Sequence, residues 1–374
     1  MTILLAGGGT GGHLYPGIAV AEALRKIAPQ VRPLFLCTMR EIDSVILGPT
    51  KFEFVPQPIV PPVKTIGGLL KFYKSWRDTR DLVKSILRNE RPVAALGLGG
   101  YAAGVAIREA ARKGVPCALI NPDVVPGKAN QFLAKSVQSV FCQFEATADH
   151  VDSSRRAKLK FTGCPIRSDM RRLPPKAEAA GRLGLDQKLK TLVVTGASLG
   201  AMTVNEAVLT VLETLPLDGW QILHLSGRDH ADAVRAGYRS LADKGVAARA
   251  TVMDFTPQMA DVWSVADLAV SRSGASSCAE LTACGVPSIL FPYPYHRDMH
   301  QRLNAKVLAD AGAAVLIDDL KDRQKNAAKL RPVLESLLND RDKRQAMAEA
   351  AGKLGKSDAA DIVARELLEM VKTG

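Results

Sequence analysis

The sequence predicts an α/β protein made of two Rossmann-like domains whose parallel sheets face a cleft. Short apolar strands alternate with helical patterns along the whole chain, which is the arrangement of parallel sheets covered by helices. A strand, a glycine turn and a helix start open the chain, with Thr2 to Ala6 running into Gly7-Gly8-Gly9-Thr10-Gly11-Gly12-His13-Leu14-Tyr15-Pro16. The same order restarts at Thr191, which leads into Gly196-Ala197-Ser198-Leu199-Gly200-Ala201. The length of 374 residues exceeds one ordinary core and suits two such domains.

Taken in order, apolar runs place strands near residues 2–6, 33–37, 93–97, 117–120 and 139–142 in the first half. In the second half they fall near 191–195, 220–225, 249–253, 267–271 and 287–291. An alanine-rich helical pattern, Gly17 to Ile27, follows the first glycine turn, and a second helix is expected from Gly67 to Arg88. Gly163-Cys164-Pro165-Ile166-Arg167, followed by Pro174-Pro175, reads as a hinge. The expected domains are residues 1–164 and 165–344, and no short repeat or low-complexity tract interrupts them.

Hydrophobic residues at 47% and charged residues at 24% describe an ordinary globular chain. No apolar run approaches the roughly 20 residues of a membrane span, and no secretory segment is expected. The six cysteines, 37, 117, 142, 164, 278 and 284, form no CxxC pair and read as reduced cytosolic thiols. A net charge of +12 calls for an anionic partner, with nucleic acid, a nucleotide sugar and an acidic membrane all fitting. Against nucleic acid stand the 5% aromatic content, the dispersed Lys and Arg, and the lack of a recognisable binding module.

In the first turn, glycines allow close backbone approach to a phosphate, and free N–H groups at the helix start point at it. Gly7, Gly9 and Gly12 match the dinucleotide fingerprint, so a nicotinamide enzyme is one reading. That reading wants an acid closing the second strand, whereas the chain there runs Cys37-Thr38-Met39-Arg40 before Glu41. His13 puts a titratable nitrogen where a ligand must lie.

The loop Gly7 to Pro16 resembles the GGTGGHxxP loop of glycosyltransferase family 28, in particular the branch that adds N-acetylglucosamine to a lipid-linked muramyl intermediate of peptidoglycan. The resemblance runs nearly end to end. Gly97-Leu98-Gly99-Gly100-Tyr101 is similar to the family's second glycine loop, Gly163 to Arg167 to its GNPVR hinge, and Gly196 to Ala201 to its GGSQGA loop. Ser271-Arg272-Ser273-Gly274-Ala275 through Glu280, then Ala283 to Pro287, resemble the nucleotide-sugar signature, and His296 to Ala305 the segment after it. Two positions depart. The HEQN motif reads Ile120-Asn121-Pro122-Asp123, which moves the acid from second to fourth place, and His300 replaces the first of two glutamines.

The resemblance implies a GT-B fold and inverting transfer from UDP-N-acetylglucosamine, with residues 345–374 returning to the N-terminal domain. It carries donor contacts onto Thr10, Gly11, Gly12, Asp123, Arg167, Ser198, Thr256, Arg272, Ala275, Ser276, Ser277, Cys278, Ala279, Glu280, Gln301 and Asn304. Phe255-Thr256 would meet uracil, Ser198 a phosphate, Glu280 the ribose, and Gln301 with Asn304 the sugar. From the residues alone, Ser277-x-x-Glu280 also reads as a capping box. The helix opening at Ser273 to Ser277 can hold a leaving diphosphate, with Arg272 and Arg167 adding charge. Asp340-Arg341-Asp342 reads as surface, so no essential metal or other cofactor is implied. His13 is the candidate general base, since a helix N-terminus disfavours its protonated form; the alternative is a capping or phosphate-binding histidine. His150, His224, His230 and His296 have no distinctive setting.

Leu69, Phe72, Tyr73 and Trp76 share one face of the second helix amid Lys64, Lys71, Lys74, Arg77, Arg80, Lys84, Arg88 and Arg91. Such a helix either lies on an anionic membrane or packs its stripe into the core. With Tyr101, this stripe is the expected acceptor and membrane side. The expected enzyme is cytoplasmic, peripheral on the cytoplasmic face of the cell membrane, and acts on a polyprenyl-diphosphate lipid without binding nucleic acid. A transferase with another lipid acceptor, such as a diacylglycerol galactosyltransferase, is the nearest rival.

Overall fold

The computed structural model describes residues 1–196, 200–246, 248–295 and 298–373. The chain divides into two units, Met1–Ser168 with Ser357–Gly374, and Asp169–Lys356. Each holds one all-parallel sheet.

In the first unit the strands are β1 (Thr2–Gly7), β2 (Arg32–Thr38), β3 (Glu53–Gln57), β4 (Ala94–Gly99), β5 (Cys117–Asn121), β6 (Ser139–Cys142) and β7 (Leu159–Phe161). They lie in the order β3-β2-β1-β4-β5-β6-β7. Alternate residues of β1 enter different cores: Ile3 and Leu5 pack with Leu14, Ile18 and Phe35, while Leu4 and Ala6 pack with Leu36, Val105 and Ile107. A central strand buried on both faces explains the unbroken apolar run.

In the second unit the strands are β8 (Lys190–Thr195), β9 (Trp220–Leu225), β10 (Ala250–Met253), β11 (Ala266–Ser271), β12 (Ser288–Leu290) and β13 (Ala314–Leu316), ordered β10-β9-β8-β11-β12-β13. In each sheet the strand order reverses beside the first strand of the unit, between β1 and β4 and between β8 and β11. Ligands of open parallel sheets bind outside the carboxyl ends of the strands at such a reversal. The glycine loops after β1 and β4 meet there, with Gly7 paired to Gly99.

The expected return of residues 345–374 to the first unit holds for only part of that segment. The helix Ala359–Thr373 places Ala360, Val363, Ala364 and Leu367 in the core with Leu14 and Ile18. The helix Arg341–Leu354 stays with the second unit. Its Met347 packs in that core, and Arg344 stacks over Trp220 at 4.9 Å and donates to the Leu338 carbonyl at 3.0 Å.

Candidate functional site

Asp43 builds the first glycine loop. Its buried carboxylate accepts from the Gly9 N–H at 2.8 Å and from the Thr38 N–H and hydroxyl, both at 2.7 Å. Arg40 adds a bond from Nη1 to the Gly9 carbonyl at 2.8 Å. A Cβ on Gly8 would stand 2.3 Å from Asp43 Oδ2, so the loop requires glycine there. The acid missing from the end of β2 is thus present a few residues later, but it is turned onto backbone rather than presented to a ribose. That removes the chief requirement of a nicotinamide site.

His13 lies in the first turn of the helix Gly11–Ile27. Its Nδ1 is 3.2 Å from the Gly8 carbonyl and 3.2 Å from Thr10 Oγ1. A carbonyl only accepts, so Nδ1 carries the proton and Nε2 presents a lone pair. The ring packs against Gly99 and Gly100, where a Cβ would come within 3.1 and 2.9 Å of it, and both glycines have positive φ, 102° and 72°. Gly100 opens the helix Gly100–Arg112, whose N-terminus also disfavours an imidazolium. Burial lowers the His13 pKa below its ordinary value, opposed by the Gly8 bond and by the charges of Asp123 and Asp43. The imidazole is neutral at pH 7, as a base must be.

His13, Tyr101, Asp123, Phe72, Tyr73 and Trp76 line one open pocket of about 680 Å³ within the first unit. Asp123, at its displaced motif position, is therefore beside the histidine. Asn121 is buried and donates to the Asp123 carbonyl at 2.8 Å, which fixes the turn that carries the acid. Thr10 and Gly12 are exposed beside the pocket histidine, and Gly11 is buried. Arg167 stacks on Tyr15 at 5.0 Å from the ring centroid and is not among the pocket's lining residues. The aromatic stripe divides: Phe72 and Trp76 pack on the core, whereas Leu69 and Tyr73 are 53% and 73% exposed.

In the second unit the helix Ala275–Ala283 starts directly after β11, with Gly274 as its N-cap residue. Ala275, Cys278 and Ala279 are buried, and Ser276 and Ser277 are half-buried at its start. Ser277 is the third helical residue and Gly274 the N-cap, so the alternative reading of Ser277 and Glu280 as a capping box does not hold. Glu280 instead accepts from the Trp263 indole N–H at 2.9 Å.

Arg272 departs from its expected role. Its guanidinium is buried, bonded to Asp319 at 2.7 Å, to the Phe291 and Pro292 carbonyls, and to Thr203 at 3.0 Å. Its charge is neutralised where it stands, because a buried cation needs such a partner. Asn304 is likewise buried and donates to the Ser273 carbonyl at 3.3 Å, bracing the loop. Gln301 accepts from the Tyr293 N–H at 3.0 Å, and its Nε2 approaches the Gly274 turn. Thr256 is buried and caps its own turn by accepting from the Gln258 N–H at 3.1 Å. Ser198 lies outside the described residues. Among the described residues no group of His, Cys, Asp or Glu is placed to hold a metal ion.

Sequence reasoning missed Asp43, Arg108, Lys128 and Phe132. Arg108 was legible as the third member of a Gly100, Gly104, Arg108 spacing along one helix face. Asp43 carried only the weak signal of a second acid, two residues after Glu41, at the start of a short helix.

Residues 3–142 match the glycosyltransferase family 28 N-terminal domain, and residues 191–363 match the family 28 C-terminal domain. The UDP-N-acetylglucosamine--N-acetylmuramyl-(pentapeptide) pyrophosphoryl-undecaprenol N-acetylglucosamine transferase of Thermodesulfovibrio yellowstonii is 35% identical over 373 residues, 96% of each chain. The transferase of that name numbered 1 from Bacillus thuringiensis subsp. konkukian is 33% identical over 383 residues, 100% of each. The crystal structure of Acinetobacter baumannii MurG shares the fold, with a TM-score of 0.75 at 24% identity over 98% of this chain and 99% of that one.

Proposed function

The chain belongs to glycosyltransferase family 28, and on that premise we propose that His13 is the base through which it moves N-acetylglucosamine from UDP to the muramyl hydroxyl of a pyrophosphoryl-undecaprenol acceptor. The enzyme is a hexosyltransferase that forms the disaccharide-bearing lipid of peptidoglycan synthesis. The observation that carries the base assignment is the tautomer of His13, which leaves Nε2 unprotonated, together with the place of this residue in a pocket that also holds Asp123.

The acceptor hydroxyl attacks the anomeric carbon as the bond to UDP breaks, so configuration inverts. The hydroxyl proton passes to His13 Nε2, and the bonding pair leaves with the diphosphate. Burial keeps the base neutral beforehand, and Asp123 steadies the imidazolium that forms. The leaving diphosphate falls to the start of the helix Ala275–Ala283, where the positive end of the helix dipole favours anions. Arg272 shapes that loop through Asp319 rather than meeting the phosphate directly. Gln301 reads the sugar and Glu280 the ribose, the latter aimed by Trp263. The reaction uses no metal and no other cofactor.

No helix among the described residues is long and apolar enough to cross a membrane. The exposed Leu69 and Tyr73, with Leu70 and Ile66 beside them on a lysine- and arginine-rich helix, instead fit peripheral contact with the anionic cytoplasmic face. Nucleic acid is not a partner in this reading.

Direct titration with UDP-N-acetylglucosamine, UDP-galactose and NADH tests the donor. Preferential binding of UDP-N-acetylglucosamine is expected. Binding of NADH alone would overturn the assignment, and preference for UDP-galactose would favour the diacylglycerol transferase.

A further inference from the structure

The pocket at His13 is a trough with a charged far end. Its floor is the helix Gly100–Arg112, on which Gly100, Gly104 and Arg108 follow at four-residue spacing and so share a face. The two glycines leave the floor bare: a Cβ on Gly104 would stand 3.3 Å from the Trp76 ring. One wall comes from Phe72 and Trp76, whose rings are 5.7 Å apart, and the other from Lys128 and Phe132 on the helix Lys128–Leu133.

Arg108 stacks over Phe132 at 5.5 Å, and among the described residues neither Arg108 nor Lys128 has an ion-pair partner. Two cations without ion pairs, set among Phe72, Trp76 and Phe132 in a pocket whose one carboxylate is Asp123, fit an anion that carries a hydrocarbon. Meanwhile the Gly9 N–H of the first glycine loop is already taken by Asp43 and is not free for a phosphate.

We propose that Arg108 and Lys128 bind the acceptor's diphosphate, with the first prenyl units against Phe72, Trp76 and Phe132 and the reacting sugar hydroxyl at His13. This rests on the transferase reading above. Arg108 is two turns from Gly100, roughly 12 Å along the axis at 1.5 Å per residue, and helical side chains lean back toward the N-terminus. A pyranose bears its 1- and 4-oxygens on opposite edges. A sugar with its 4-hydroxyl at His13 therefore extends its 1-linked diphosphate toward Arg108.

The test is titration of the full chain with farnesyl diphosphate, followed by tryptophan fluorescence, with farnesol, inorganic diphosphate and UDP as parallel arms. The wild type should bind farnesyl diphosphate roughly tenfold or more tighter than farnesol or inorganic diphosphate, as a charge-assisted contact requires. Trp76→Phe should remove the signal. The pair Arg108→Gln with Lys128→Gln, which keeps the side-chain stems, should abolish the preference over farnesol at unchanged UDP-N-acetylglucosamine affinity. Arg108→Lys should restore part of it.

Equal binding of farnesyl diphosphate by the wild type and the paired variant overturns the proposal. So does a fall in UDP affinity in that variant, which would assign the cations to the donor. If farnesyl diphosphate binds as expected but UDP-N-acetylglucosamine does not, the trough stands and the transferase reading fails.

Discussion

At the scale of single residues, Asp43 and His13 share the first glycine loop, one holding it from behind and the other using its front. Both Asp43 oxygens accept, and every group they serve is a donor, so an amide nitrogen in place of either oxygen meets an N–H or O–H head-on. Asp43→Asn should therefore destabilise the protein by about 2–4 kcal/mol, read as a lower midpoint in urea, because buried donors are left unpaired. An unchanged midpoint would show that the loop does not depend on this carboxylate. The glycine pattern announced the loop, and the histidine announced chemistry. The carboxylate was illegible because nothing in local sequence says which of Glu41 and Asp43 turns inward, and the direction of the Arg272 guanidinium and the Asn304 amide was equally hidden.

Among the secondary-structure elements, the helix Ile66–Glu90 serves two purposes along its length. Thr65 caps it by accepting from the Gly68 N–H at 3.1 Å, and its later turns bury Thr79, Val83 and Leu87. Helical spacing could not divide this face: Phe72 and Trp76 pack on the core and line the trough, Tyr73 stands at its rim, and Leu69 is exposed. Leu69→Ser with Tyr73→Ser should leave the melting temperature within a degree or two, as exposed substitutions do. It should also weaken sedimentation with anionic liposomes several-fold. Undiminished liposome binding would place the membrane contact elsewhere. The strands that sequence reading missed, β3, β7 and β13, are all sheet edges. Edge strands are short and half-solvated, and β3 contains Pro56, which an edge tolerates but which breaks the strand pattern.

For the molecule as a whole, both units repeat one plan, with glycine turns at the reversal of strand order, and that plan was legible because buried parallel strands are continuous apolar runs. Less legible was how the second unit braces its glycine turn. His224, expected to be unremarkable, is fully buried between Tyr238 at 3.0 Å and Asn205 at 3.1 Å, and Asn205 in turn holds the Ser226 carbonyl. A Cβ on Gly200 would strike that same carbonyl at 2.2 Å. Burial pushes His224 down to about 3 from an ordinary 6.5, so the unfolded chain binds a proton that the folded one does not. Stability contributed here is full above about pH 6.5 and falls by up to roughly 1.4 kcal/mol per pH unit on acidification toward about pH 3. His224→Gln should flatten the dependence of the urea midpoint on pH between about pH 6 and pH 4. An unaltered slope would mean that other groups govern acid unfolding.

The central claim is sugar transfer with His13 as the base. Its most direct test is transfer of labelled N-acetylglucosamine from UDP to a muramyl polyprenyl-diphosphate acceptor, run with the wild type and His13→Ala. The account predicts β-linked label in the lipid product, and a loss of turnover of roughly 100-fold or more in the variant at unchanged donor affinity. Equal turnover by the variant, or no label in lipid with the wild type, would contradict it.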